Sequence, residues 1–177
     1  MRRKAKRNQK MLPKLKNNNH KMKKTIMIDL DVVTVGKWDR GNYGDMAREL
    51  IRRAEKKEFQ VITPFYLIEH LTKWKNIPLK EKIEDFYIKQ SSKILTNEDV
   101  DDKIEELGIN DKLLLRELKD DNIKEEDAFI VMVTSIFELD CLVTFNRIHL
   151  KSKKESINEV LKKNGLKPIK IAGPEEA

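Results

Sequence analysis

A chain of 177 residues is long enough for one domain with a core of its own. Charged residues make up 38%, aromatics 6%, the single cysteine excludes an intrachain disulfide framework, and no apolar run approaches the ~20 residues of a membrane span. The formal charge of +7 is unevenly divided, because residues 1–24 hold 11 Lys or Arg and no acid, leaving 26 basic against 30 acidic residues elsewhere. The N-terminus lacks the apolar segment of a signal peptide, so a soluble, cytoplasmic protein is expected.

In chain order, residues 1–24 read as a disordered basic tail, either a solubilising leader (Met22 and Met27 are alternative starts) or a phosphate-binding arm. Thr25 to Val33 reads as the first strand, rich in β-branched residues. Asp29 falls near its carboxyl end, and Asp31 points the same way by alternation. A carboxylate in an apolar strand is costly unless a cation or hydrogen bonds compensate it, which marks Asp29 as functional. Gly36 to Gly44 reads as a loop, Asp45 to Lys57 as an amphipathic helix and Phe59 to Thr63 as the second strand. Thr63-Pro64 predicts the start of a helix running to Lys75, with a hydroxyl cap and proline at the first position. Glu69 lies in it among Tyr66, Leu67, Ile68 and Leu71, and is expected to be partly buried.

Leu79 to Asn122 is charged and helical in pattern, with breaks near Thr96-Asn97 and Gly108. Ile83, Phe86, Tyr87, Ile94 and Leu95 read as a packing stripe. From Ala128 to Phe137 nearly every residue is apolar, so this helix is expected between a sheet and other helices. Glu125, Glu126 and Asp127 suit the positive end of its dipole. Cys141 to Thr144 then reads as a buried strand, with Cys141 an inert thiol and Asn146-Arg147 beyond its carboxyl end. Glu155 to Asn164 is a helix ended by Gly165, and Pro168 to Ile171 a last strand. Strands alternating with helices predict an α/β sandwich with a mostly parallel sheet.

In that layout Asp29, Asp31, Glu69, Asp127 and Asn146 share the carboxyl rim, where ligands bind. Several carboxylates in one small site repel each other without a cation. They suit Mg²⁺ or Mn²⁺, hard ions that take oxygen ligands. No Ser-His-Asp order, glycine-rich phosphate loop or Cys/His zinc spacing competes, and His20, His70 and His149 are too dispersed to be ligands.

The stretch IMIDLDVV resembles the opening strand of PIN-domain ribonucleases of the VapC kind, with Asp29 at the family's aspartate. TPFYLIEHL resembles their second motif, with Glu69 at its glutamate. EEDAFIVMVTSIFELDCLVTFNRIHL resembles the third, with Asp127 at the helix start, and INEVLKKNGLKPIKIAGPEEA the closing helix and strand. The resemblance spans roughly residues 25 to 175. It implies a three-layer α/β/α sandwich, here with a helical insertion over 80–123. It also implies an endoribonuclease in which Asp29, Glu69 and Asp127 hold one or two Mg²⁺ ions, Asn146 positions a water and Arg147 touches the RNA backbone. The partners implied are RNA, an antitoxin protein and a second copy in a homodimer. Asn146 stands where many members have a fourth acid, and 80–123 is longer than in compact toxins. Two other readings are a PIN module that binds or assembles on RNA without cleaving it, and a phosphatase of the haloacid-dehalogenase type. Asp29-Leu30-Asp31 resembles the opening of the latter, without its later lysine and paired aspartates.

Overall fold

Three consecutive buried apolar residues, Ile26, Met27 and Ile28, make β1 (Thr25–Ile28) a strand covered on both faces. It belongs to a computed structural model that describes residues 23–177. After β1 the chain turns at Asp29 into α1 (Leu30–Trp38) and α2 (Asn42–Glu55), then forms β2 (Gln60–Pro64), α3 (Phe65–His70) and α4 (Ile77–Gln90). Next come β3 (Ser91–Leu95), α5 (Asn97–Leu107), α6 (Asp111–Asp120) and α7 (Glu125–Ile136). β4 (Cys141–Val143), α8 (Lys154–Lys163) and β5 (Ile171–Ala172) complete the described residues.

The strands form one sheet in the order β3-β2-β1-β4-β5, and every pair is parallel. α1 packs on α2 and α4, whereas α7 packs on α5, α6 and β4, and α6 on α8. The result is the expected three-layer α/β/α sandwich. Successive strands move one way from β1 to β3, then the chain crosses back to β4 on the other side of β1. That reversal opens a crevice at the carboxyl ends of β1 and β4. As expected from its uniformly apolar sequence, α7 is buried from Ile130 to Ile136.

Several boundaries differ from the sequence reading. The first strand ends at Ile28, and Val32, Val33, Thr34 and Val35 are helical despite their β propensity. Burial of Val32 and Val33 against the core outweighs the few tenths of a kcal/mol per residue that propensity contributes. α1 and α2 thus occupy most of the expected 36–44 loop. Pro64 closes β2 rather than opening a helix, and the Thr63 hydroxyl hydrogen-bonds Ser91 Oγ at 2.7 Å instead of capping. The stretch 80–123 is not helical throughout, because Ser91–Leu95 is the edge strand β3. Its mostly exposed Ser-Ser-Lys start lacks the apolar alternation of an interior strand, as edges usually do. The last strand lies at Ile171–Ala172, after Pro168. Gly165 ends α8 with φ +75°, as expected. The tail assignment falls almost wholly on residues outside the described ones.

The α1–α2 corner is tight. A Cβ on Gly44 would lie 2.1 Å from the Asp39 carbonyl oxygen, a backbone atom with no rotamer to move. Gly44→Ala would also disturb the Gly44 N–H to Asp39 carboxylate bond of 2.8 Å. We expect it to cost about 1–3 kcal/mol of stability, the range for forced overpacking. Urea denaturation checks this, and a loss under about 0.5 kcal/mol would mean that the corner adapts freely.

Candidate active site

Asp29 is the N-cap of α1, yet its side chain makes no capping bond to that helix. It turns into the crevice and accepts the Thr144 hydroxyl at 2.8 Å. Asp31, in the first turn of α1, reaches the same place. Its Oδ2 accepts the Phe145 N–H at 3.0 Å and lies 3.2 Å from Thr144 Oγ1. A hydroxyl has one proton and cannot fully satisfy both carboxylates. Asp31 Oδ1 is buried with no hydrogen-bond partner.

Burial first, and then the neighbouring Asp31 charge, pushes the Asp29 carboxyl up to about 8. Burial also pushes Asp31 up to about 6, against the Phe145 and Thr144 hydrogen bonds that favour its anion. Asp127, in the first turn of α7, is raised by burial, with His149 and the Asn146 amide opposing. The Asn146 side chain donates Nδ2–H to Asp127 at 2.9 Å and accepts the His149 N–H at 3.0 Å. Asn146 therefore orients Asp127 rather than presenting a free carbonyl.

Asp29, Asp31, Asp127 and Asn146 line one cavity of about 450 Å³, whose opposite wall includes Tyr66, His70, Trp74 and Glu126. Glu69 does not line it. Leu67, Ile68 and Leu71 take the core side of α3 and its following turn, which leaves Glu69 exposed on the far side. Glu126 sits on the wall instead, 3.6 Å from His70 Nδ1. Arg147 is exposed and directed to the neighbouring groove, where it bonds Tyr43.

Two contributors were not singled out from sequence. Thr144 links the two aspartates, and its place two residues before Asn146 on the same strand end was the available signal. Tyr87, read as packing, buries its ring but donates its hydroxyl to the Ile28 carbonyl at 2.9 Å. It holds the end of β1 from below, and burial with the nearby Asp29 charge raises its hydroxyl well above the ordinary range.

The side chains that line the cavity are of the oxygen type that a hard divalent cation takes. The Asp29 and Asp31 carboxyls are crowded together, and one buried carboxylate oxygen, Asp31 Oδ1, lacks a donor. Among the described residues no three Asp, Glu, His or Cys side chains are close enough to grip an ion by themselves. An ion here would keep several waters, as magnesium usually does. Comparison with family models, curated proteins and solved structures finds no match for this chain. No described helix is long and apolar enough to cross a membrane.

Proposed function

We propose that this chain is a metal-dependent endoribonuclease of PIN type. The observation that carries it is the placement of the buried Asp29 beside the half-buried Asp31 at the strand-order reversal, with Asp31 Oδ1 buried and unsatisfied. Asp29, Asp31 and Asp127 would hold Mg²⁺ or Mn²⁺ in part through the ion's own waters. Bound there, the ion supplies charge neutralisation on a phosphodiester and lowers the pKa of water. Asn146 keeps the Asp127 carboxylate turned toward the cavity, and Thr144 holds Asp29 and Asp31 in register. Hydrolysis adds water at phosphorus and breaks one P–O ester bond. An antitoxin partner, a homodimer and a cytoplasmic location belong to the same proposal through the VapC resemblance.

End-labelled single-stranded RNA incubated with Mg²⁺, Mn²⁺ or chelator tests it. Cleavage is expected only with metal, and Asp127→Asn should lower it at least about 100-fold, beyond the range seen for outer-shell positions. Metal-independent cleavage, or full activity in Asp127→Asn, would sink the proposal. The exposed Glu69 and the absence of a ready three-group cluster among the described residues favour a second reading, an RNA-binding PIN module. That reading expects RNA binding with no cleavage under any metal.

A further inference from the structure

Beside the carboxylate cavity, and sharing Val35 and Asn146 with it, lies a groove of about 810 Å³. Its size is within the range of small-ligand pockets and ample for a nucleotide. Tyr43 and Phe145 meet edge to face on one wall, with ring centroids 5.4 Å apart and planes at 81°. The Arg147 guanidinium lies 5.5 Å from the centre of the Tyr43 ring and donates to its hydroxyl at 2.8 Å. Ile148 adds an apolar side chain that is 73% exposed. An aromatic ring, a guanidinium held by the tyrosine hydroxyl and an exposed isoleucine form a platform that no other element covers among the described residues.

The charge of the groove points the same way. Lys124 and Arg147 line it, and neither pairs with an acid among the described residues. Its one carboxylate, Asp39, accepts the Gly41 and Gly44 N–H groups at 3.1 and 2.8 Å and so serves its own loop. Two cations beside a flat platform suit a ligand that is anionic along its backbone and flat in its side groups. That is single-stranded nucleic acid, whose unpaired bases stack on aromatic and guanidinium planes. Phe145 and Arg147 flank Asn146 in sequence, so this platform adjoins the carboxylate site directly.

We propose that the Tyr43–Phe145–Arg147–Ile148 groove is a stacking subsite for one base of single-stranded RNA. Its role in placing the nucleotide next to the scissile phosphate rests on the ribonuclease reading; its binding of a base does not. Lys124 and Arg147 meet the flanking phosphates, and the platform tolerates any base because every base has a π face.

The test uses the full chain in chelator, where no metal-dependent cleavage occurs. Single-stranded RNA oligomers carrying one 5-iodouridine are irradiated, and the attached peptide is mapped by mass spectrometry. The label is expected on Tyr43 or Phe145. Fluorescence anisotropy should show about tenfold weaker binding for Tyr43→Ala, whereas Tyr43→Phe, which keeps the ring, stays near wild type. Duplex RNA, with its bases already stacked, should compete poorly. Labels confined to residues 1–24, or equal competition by duplex, would overturn the subsite. So would self-association of the chain that Tyr43→Ala abolishes, since that would make the groove a protein interface. The mapped label does not depend on how well a variant folds. Labelling at Tyr43 without cleavage in any metal keeps the subsite and sinks the ribonuclease; cleavage with no label in the groove does the reverse.

Discussion

In chelator at pH 8, Asp29→Asn is expected to melt about 5 °C or more above the wild-type chain, while losing RNA cleavage when Mg²⁺ is restored. Asp29 is buried beside Asp31, and its carboxyl is pushed up to about 8 from 3.8. Fully ionising it in the fold carries an upper-bound penalty on the order of 5 kcal/mol. Asparagine removes that charge, still accepts the Thr144 hydroxyl, and brings an N–H donor to a site where Asp31 Oδ1 lacks one. Even about 2 kcal/mol of relief gives the stated shift, at roughly 2–4 °C per kcal/mol for a chain of this size. The same change deletes a metal ligand, so added Mg²⁺ or Mn²⁺ should stabilise the variant less than the wild type. Differential scanning calorimetry with and without metal reads both effects. A variant that melts below wild type in chelator would mean that the Asp29 carboxylate is a structural acceptor and that the site is not crowded by charge.

The second large effect is on pH. Asp29 and Asp31 both have folded values above their ordinary one, about 8 and about 6 against 3.8. The folded chain therefore binds these protons more tightly than the unfolded chain. Stability from them is fully present below about pH 4 and is lost as pH rises through 6 and then 8. The opposing carboxylates have lowered values from ion pairs or backbone donors: Asp99 to about 2, and also Asp39, Glu49, Glu117 and Glu176. They lose their contribution only as pH falls below the ordinary carboxylate range, and all are solvent-screened. In chelator the melting temperature should accordingly peak near pH 4, where both effects are smallest, and fall by several degrees toward pH 8. Saturating Mg²⁺ should flatten or reverse that fall, because the ion binds the deprotonated site. A profile in chelator that is level between pH 5 and 8 would contradict the shared burial of Asp29 and Asp31.

Much of the site was legible because it depends on chain ends of regular elements. An aspartate closing an apolar strand, an acidic first turn before the uniformly apolar α7 and a polar residue after β4 can each be read locally. Asp31 reaches the expected rim from the first turn of α1, beyond the end of β1, rather than by alternation along the strand. Glu69 illustrates the opposite failure. Its apolar neighbours suggested burial, but helical geometry assigns the core side to Leu67, Ile68 and Leu71 and leaves Glu69 outside. β3 was missed because an exposed edge strand of Ser, Ser and Lys has no apolar period to read.

By itself the sequence determined the α/β class, the buried α7 and the gathering of Asp29, Asp127 and Asn146 at one sheet edge. Those follow from apolar periodicity and from the polar residues that interrupt it, both of which are local. Only the tertiary structure decided that β1 and β4 are neighbours, which brings Thr144 between Asp29 and Asp31 across more than a hundred residues of chain. It also turned Asn146 onto Asp127, excluded Glu69 from the cavity and set Arg147 on Tyr43. Each of these depends on side-chain direction at a crossing of distant elements, and that direction is set by packing rather than by the order of residues along the chain.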